Sequence, residues 1–555
     1  MKLFTFSFLL SAFCLFGAVT YGQNPNCYRI TFSDKNDSPY SVDRPEEFLS
    51  LRAIAKRERF NIPVIEQDLP VNPQYIEAIL NFSNEPSQII SRSKWDNSVV
   101  IFYSETENCH GIIAEMINHF PFVVDTLSVA VYGKINDFEI IVHEQASTSI
   151  VYNSSCDYNY GNSIDNISLH KGHFLHKAGF CGEDMLICVI DAGFENFNTI
   201  SYFQPLYENG QIWGTRDFIS GINNVYLGHN HGTSTISIIV SAIEGQLIGS
   251  APKANYFLFR TTSPWINNLV EEDFLAQAIE VADSLGADII TVSLGYRDNF
   301  DYEWQNIYTS ADNDGMASIA SRTASILAHK GVIFVCCAGN EGLSNWRHIT
   351  RPADAKDILA VGMVNKYGVV NPMSSYGPSA DWRVKPDVAS PGDGAWIITS
   401  NGIIRQGGGT SAAAPIIAGL SACLWQALPQ YSALEIMNLI RKYGDRYSNP
   451  NNRTGYGIPN FYQCYLDHTN SVPEKQISSV SVYPNPTMGE LRIRNEELGI
   501  KSIEIFDVLG RKRSSNHLII SSSHHLINIS HLNSGIYFFK ITSDRSSEMI
   551  KVIKQ

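Results

Sequence analysis

The chain carries few positive charges and no long run of them: 41 Lys and Arg stand against 55 Asp and Glu in 555 residues, a formal charge of −14. Nucleic-acid binders draw much of their affinity from cations placed on phosphates, so this balance argues against that class. The ten cysteines include no paired CxxC spacing, which argues against a zinc-stapled fold. No repeat of fixed period occurs, and no stretch after the first two dozen residues is long and apolar enough to span a bilayer. The composition of disorder is also missing, since 44% of residues are apolar and 17% charged. A chain of this length is expected to hold several domains of ~100–200 residues.

What is present begins with MKLFTFSFLLSAFCLFGAVTYGQ, where Lys2 precedes an apolar run that ends in the small residues Thr20 and Gly22. This predicts a cleavable secretory signal over residues 1–22. Thr5, Ser7 and Ser11 interrupt the run and count against an uncleaved anchor, and the phenylalanine before Cys14 is too large for a lipoprotein cleavage site. Nine cysteines remain after removal, an odd number that leaves at least one free thiol. Cys188, Cys336 and Cys337 lie in apolar runs and read as buried thiols, while Cys156 and Cys181 are candidates for a disulfide in an oxidising compartment.

Residues 27–133 alternate strand signals (YRITFSD, SVVIFYS) with helical ones (PEEFLSLRAIAKRERF, NPQYIEAILNF), which predicts a compact α+β domain. Residues 134–163, rich in Asn, Ser and Tyr, read as a linker. Within the next domain, residues 164–468, buried strand runs alternate with amphipathic helices: MLICVID, then DFLAQAIEVADSLG stopped by Gly286 before ADIITVSLG, then ASIASRTASILAHKG stopped by Gly331 before VIFVCCAGN. That order predicts an α/β fold with a doubly wound parallel sheet, whose ligands bind beyond the carboxyl ends of the strands. After a second linker at residues 469–479, residues 480–555 show only strand signals and predict a small all-β sandwich.

Three polar residues stand out at such strand ends and helix starts. Asp191 ends LICVID ahead of Ala192 and Gly193; taken alone, a strand-terminal aspartate more often caps the next helix. His231 lies in GHNHGTSTISII, where Gly232 and Thr233 open a helix; His229 competes with it but lacks that following Gly-Thr. Ser411 follows three glycines in QGGGTSAAAPIIAG, at the first turn of a buried helix, where free N–H groups and the positive dipole end favour a developing anion.

Together these segments resemble the subtilisin-like serine peptidases over roughly Tyr160 to Leu466, with GTSAAAP, HGT and RVKPDVASPG as the strongest matches and the order Asp, His, Ser. The resemblance implies a subtilisin-like fold and a triad of Asp191, His231 and Ser411, with Asn340 in CCAGNEG as the oxyanion donor. It further implies that an extended peptide pairs with Ser293-Leu294-Gly295 and that Ala338-Gly339 lines the primary pocket; the small Ala338 suggests room for sizeable side chains. Two positions depart from the family pattern, Ala192 in place of Thr or Ser and Ser234 in place of a second His, both beside the triad.

SVDRPEEFLSLRA and LPVNPQYIEAI resemble propeptides of such enzymes in Bacteroidetes, with a permanent accessory domain as the alternative. VYPNPTMGELRI, SIEIFDVLGRK and LNSGIYFFKI resemble type IX secretion sorting domains, with a carbohydrate- or cell-binding sandwich as the alternative. The expectation is a preproprotein exported through the periplasm and then secreted or held at the cell surface. Its partners would be protein or peptide substrates and the type IX machinery. The reaction needs no cofactor; structural calcium occurs in the family, but no compact Asp/Glu loop singles out ligands. A non-catalytic surface binder on the same fold is the rival function.

Overall fold

The computed structural model describes residues 25–104, 108–131, 141–142, 156–219, 224–263, 267–469, 480–483, 485–495, 500–507, 511–520, 524–543 and 547–555. The expected signal segment, most of residues 134–163 and nearly all of the second linker lie outside them. The chain divides into two compact units, Met1–Tyr465 and Leu466–Gln555.

The first unit opens with β1 (Cys27–Phe32), α1 (Leu51–Arg59), α2 (Pro73–Leu80), β2 (Ser87–Ser93), β3 (Ser98–Tyr103), α3 (Cys109–His119) and β4 (Val123–Ala130). Local chemistry starts the first two helices: Ser50 Oγ accepts from the Ala53 N–H, and Asn72 Oδ1 accepts from the Gln74 N–H with Pro73 in the first turn. The strands form an antiparallel sheet in the order β2-β3-β1-β4. Every residue of β3 is buried because both faces of this sheet are covered. Ile30, Val99 and Ile101 pack with Ile76, Ile112 and Met116 of α2 and α3, whereas Val100 and Phe102, one residue out of phase, join a core that contains Phe274 and Ala278.

The main sheet is built from β5 (Ile141–Val142), β6 (Leu186–Asp191), β7 (Ile212–Asp217), β8 (Asn255–Arg260), β9 (Ile289–Val292), β10 (Ile333–Cys337), β11 (Leu359–Asn365), β12 (Val388–Ile398) and β13 (Ile404–Gly408). Their order is β13-β12-β11-β10-β9-β6-β8-β7-β5, parallel from β12 to β7 with an antiparallel strand at each edge. The chain builds outward from β6 to β7 and β8, then crosses to the other side at β9, so β6 and β9 flank the switch point where the strand ends leave a crevice.

Helices α4 (His231–Val240), α5 (Glu271–Ser284), α6 (Ile319–Ile326), α7 (Thr410–Ala427) and α8 (Ala433–Lys442) cover the sheet. Ile187, Val189, Ile333 and Val335 face α4 and α7, while Leu186, Cys188, Ile190 and Phe334 face α5 and α6. Burial on both faces is why these strands read as unbroken apolar runs. Gly286 and Gly331, with φ of 87° and 80°, turn the chain out of the helices that precede them.

Part of the expected linker at 134–163 is built into the fold. Ile141–Val142 adds an antiparallel edge to β7. From Cys156 the chain is tied to the core by a disulfide to Cys181, with Cα atoms 6.5 Å apart, and by the Tyr160 hydroxyl 2.7 Å from His176 Nδ1. These anchors are a covalent bond and a polar contact, which leave no trace in apolar periodicity. The remaining cysteines among the described residues are buried.

The second unit has a three-stranded sheet of Val480–Tyr483, Glu490–Asn495 and His524–Asn528, and a four-stranded one of Lys512–Ile520, Ile500–Asp507, Gly535–Ser543 and Ser547–Lys554, in that order. Leu491, Ile503, Ile527, Phe539 and Ile541 form its own core. Lys512–Ile520 was not evident as a strand, since KRSSNHLII opens with polar residues; it is an edge strand, where polar sequence is common.

Candidate active site at the carboxyl ends of the strands

Asp191, fully buried, is the last residue of β6. His231 is the first of α4, brought against it by a close approach of backbone: the Gly232 N–H donates to Gly193 O at 2.9 Å, and a Cβ on Gly232 would overlap that oxygen. His231 Nδ1 lies 2.7 Å from Asp191 Oδ1. The same carboxylate accepts from the Ala192 N–H at 2.7 Å and from Thr235 Oγ1 at 3.0 Å, so both oxygens are held. Burial pulls the His231 pKa down, but the charge and hydrogen bond of Asp191 more than offset this, and the net direction is up. His229 has another role: its Nδ1 accepts from the His231 N–H at 3.1 Å, capping the helix start.

Ser411 sits in the first turn of α7, whose leading N–H groups lack intrahelical partners. Gly409, with φ of 128°, lets the chain enter that helix; a Cβ there would lie 3.0 Å from Ser411 Oγ and 3.6 Å from Asn340 Nδ2. Ser411 Oγ and Asn340 Nδ2 thus border the same small space. Asn340, three residues beyond β10, has its Oδ1 occupied by the Thr410 N–H at 2.9 Å and Thr410 Oγ1 at 3.1 Å, which turns its amide nitrogen outward as a donor. Among the described residues no hydrogen bond joins Ser411 to His231.

The residues expected to bind substrate come from neighbouring strands: Ser293, Leu294 and Gly295 follow β9, and Ala338 and Gly339 follow β10. Ser293 Oγ donates to Ser411 O at 3.0 Å and the Gly339 N–H donates to Thr410 Oγ1 at 3.1 Å, which ties both segments to the start of α7.

Thr235 and Thr410 escaped the sequence reading. Thr235 lies four residues after His231 on one helix, the spacing that puts two side chains on the same face. Thr410 adjoins Ser411 in GTSAAAP, but its grip on Asn340 spans 70 positions and becomes visible only in the fold. No group of three or more His, Cys, Asp or Glu side chains among the described residues is arranged to hold a metal ion.

Residues 182–457 match the subtilase family, peptidase S8; residues 27–142 match the peptidase S8 propeptide domain of Bacteroidota; residues 481–555 match the secretion system C-terminal sorting domain. Thermophilic serine proteinase of Bacillus sp. (strain AK1) is 28% identical over 281 residues, covering 50% of this chain and 61% of that protein. Alkaline elastase YaB of Bacillus sp. (strain YaB) is 24% identical over 50% of this chain and 63% of its own length. Both are spanned for less than two thirds of their length. Subtilisin E of Bacillus subtilis (strain 168) is 24% identical over 64% of this chain and 87% of its own. Among solved structures, the protease domain of PatA is 20% identical with a TM-score of 0.42, covering 53% of this chain and 98% of that one. The chain thus carries a subtilase, peptidase S8, domain between a matching propeptide domain and a sorting tail that directs export to the cell surface or beyond.

Proposed function

We propose that this chain is an exported serine endopeptidase, made as a precursor, that hydrolyses peptide bonds in extended polypeptide. The Asp191–His231 hydrogen bond carries the proposal: it fixes the imidazole with Nδ1 on the carboxylate and leaves Nε2 as the base. Ser411 Oγ attacks the scissile carbonyl while Nε2 takes its proton. The same proton then passes to the leaving amine as the C–N bond breaks, and a water repeats the sequence to release the acid. Asp191 stabilises the imidazolium, and Thr235 keeps that carboxylate oriented. Asn340 Nδ2 and the Ser411 N–H supply hydrogen bonds to the oxyanion. The Ser411–His231 hydrogen bond that this chemistry needs would form as substrate binds, since such contacts tighten in the substrate complex. Substrate backbone would pair with Ser293, Leu294 and Gly295, with Ala338 and Gly339 beside the first side chain.

A serine-reactive fluorophosphonate tests this directly. Peptide mapping should find the label on Ser411, and Asn340→Ala should slow cleavage by ~10²–10³, a magnitude carried over from subtilisin itself. A folded, secreted protein that takes no label at Ser411 would favour the non-catalytic binder instead.

The N-terminal domain is held on α5 by buried polar contacts. Arg29 forms paired bonds of 2.5 and 2.7 Å to Asp273, and Arg57 pairs with Asp283 at 2.7 Å. Glu280 accepts from Ser93 Oγ at 2.6 Å and from the N–H groups of Lys94 and Trp95 at 2.7 and 3.1 Å. Burial pushes the Glu280 pKa up to about 7, against the lowering effect of Lys94 and those donors. A carboxyl whose pKa is raised in the assembled state favours assembly when protonated. Its contribution is therefore fully present below the ordinary carboxyl value and is lost as pH rises toward 7, by roughly tenfold per pH unit at most. The expected result is that adding Glu280→Gln to the Ser411→Ala precursor improves its Tm relative to the parent more at pH 8 than at pH 5. An identical difference at the two pH values would remove Glu280 as the pH-sensitive contact.

A further inference from the structure

In the site proposed above, the primary pocket would lie between two glycine-bearing walls, Gly295 after β9 and Gly339 after β10. Ala338 alone suggests an open slot, but the space between the walls is occupied. A Cβ built on Gly295 would overlap Thr350 Oγ1 and lie 3.0 Å from Thr350 Cβ. A Cβ built on Gly339 would meet Thr350 Oγ1 at 2.8 Å, Thr350 Cγ2 at 2.9 Å and Ser375 Oγ at 2.8 Å. One side chain, Thr350, therefore touches both walls, with the Ser375 hydroxyl behind the second.

Neither group is free to withdraw. The Thr350 N–H donates to Ala338 O at 3.1 Å, which lays Thr350 alongside the wall it abuts. The next residue, Arg351, is fully buried with its Nε 3.1 Å from Glu272 Oε1 on α5, so the backbone is pinned on that side too. Ser375 donates its N–H to Gly339 O at 2.9 Å, and its Oγ accepts from the Glu341 N–H at 2.9 Å. Thr350 and Ser375 are 4% and 0% exposed. A β-branched side chain is stiff at χ1, so Thr350 has no low-energy rotation that clears the slot.

We propose that Thr350 sets the size selectivity of the enzyme: it closes the slot between Gly295 and Gly339, so that peptides are cut after small residues such as Gly, Ala and Ser and not after Phe or Leu. This rests on the serine peptidase proposed above, and it reverses the expectation drawn from Ala338 alone. Overfilling a rigid pocket is costly, and a single methylene is already worth 10–200-fold in kcat/KM, so Ala should exceed Phe by at least ~10².

The test uses the processed enzyme and extended peptides that differ only in the residue before the cut, Gly, Ala, Leu or Phe. Fluorophosphonate titration of Ser411 counts the active sites in each preparation. Wild type should show the stated preference for Ala. Thr350→Gly should reduce the Ala-to-Phe ratio at least ~10-fold through faster cleavage after Phe. Thr350→Ser, which keeps Oγ and loses only Cγ2, should fall between them and guards against a glycine variant that fails to fold. Wild-type enzyme that titrates fully yet cuts after Phe or Leu as fast as after Ala overturns the assignment, as does an unchanged ratio in either titrating variant. Absence of any label in wild type would remove the catalytic proposal, and this one with it.

Discussion

Ser411→Ala is expected to abolish peptide-bond hydrolysis and to leave the precursor folded. Ser411 Oγ has no hydrogen-bond partner among the described residues, so its removal breaks no structural contact. Alanine also has the highest helix propensity and keeps the Cβ that packs in the first turn of α7. What is lost is the nucleophile alone. The expected fall in kcat is about 10⁶-fold, a size carried over from subtilisin. His231→Ala should cost nearly as much, and the two changes together little more than either, because the groups act as one unit. Peptide cleavage and Tm, measured on the same preparation, separate the two effects. If cleavage of the N-terminal domain is autocatalytic, the Ser411→Ala protein should also retain Cys27 and α7 in a single polypeptide. Activity near wild type in either variant would end the triad assignment.

The parts legible in the sequence are those whose physics is local. LICVID and VIFVCC read as buried strands because parallel strands covered on both faces have no polar positions to spare, and that placed Asp191 at the end of one strand and Asn340 just beyond another. The glycines and small residues around Ser411 marked a tightly packed helix start. The Cys156–Cys181 disulfide was open to reading from the sequence, whereas contacts made only after folding were not: Thr410 against Asn340, Thr350 against both Gly295 and Gly339, and the anchoring of the Asn- and Tyr-rich segment through Tyr160 and His176. The proposal for Thr350 extends this to Ala338. Its size describes one wall, whereas the room in a pocket depends on what reaches in from the opposite side, here a residue from the loop between β10 and β11.

Deleting residues 480–555 is expected to hold the enzyme back inside the cell envelope while leaving its peptide cleavage and its preference unchanged. Three observations lead there. The residues assigned to the reaction and to substrate all precede Pro415 and lie in the unit Met1–Tyr465, while the tail falls in the unit Leu466–Gln555 with an apolar core of its own around Leu491, Ile505 and Phe539. A segment with its own core is expected to be removable without unfolding the rest. The tail also carries 10 Lys and Arg against 7 Asp and Glu, a balance of +3 within a chain of −14, which suits a surface read by a separate partner. We propose the type IX machinery as that partner, and the match to the secretion system C-terminal sorting domain supports this reading. In a host with that machinery, the truncated enzyme should accumulate in the periplasm, with loss of most of the activity found outside. A fluorescent reporter placed between a signal peptide and residues 480–555 should in turn be carried out. If the truncated enzyme reaches the medium at the normal level, the tail has no sorting role; if it does so but no longer binds cells or polysaccharide, the tail is an adhesive module.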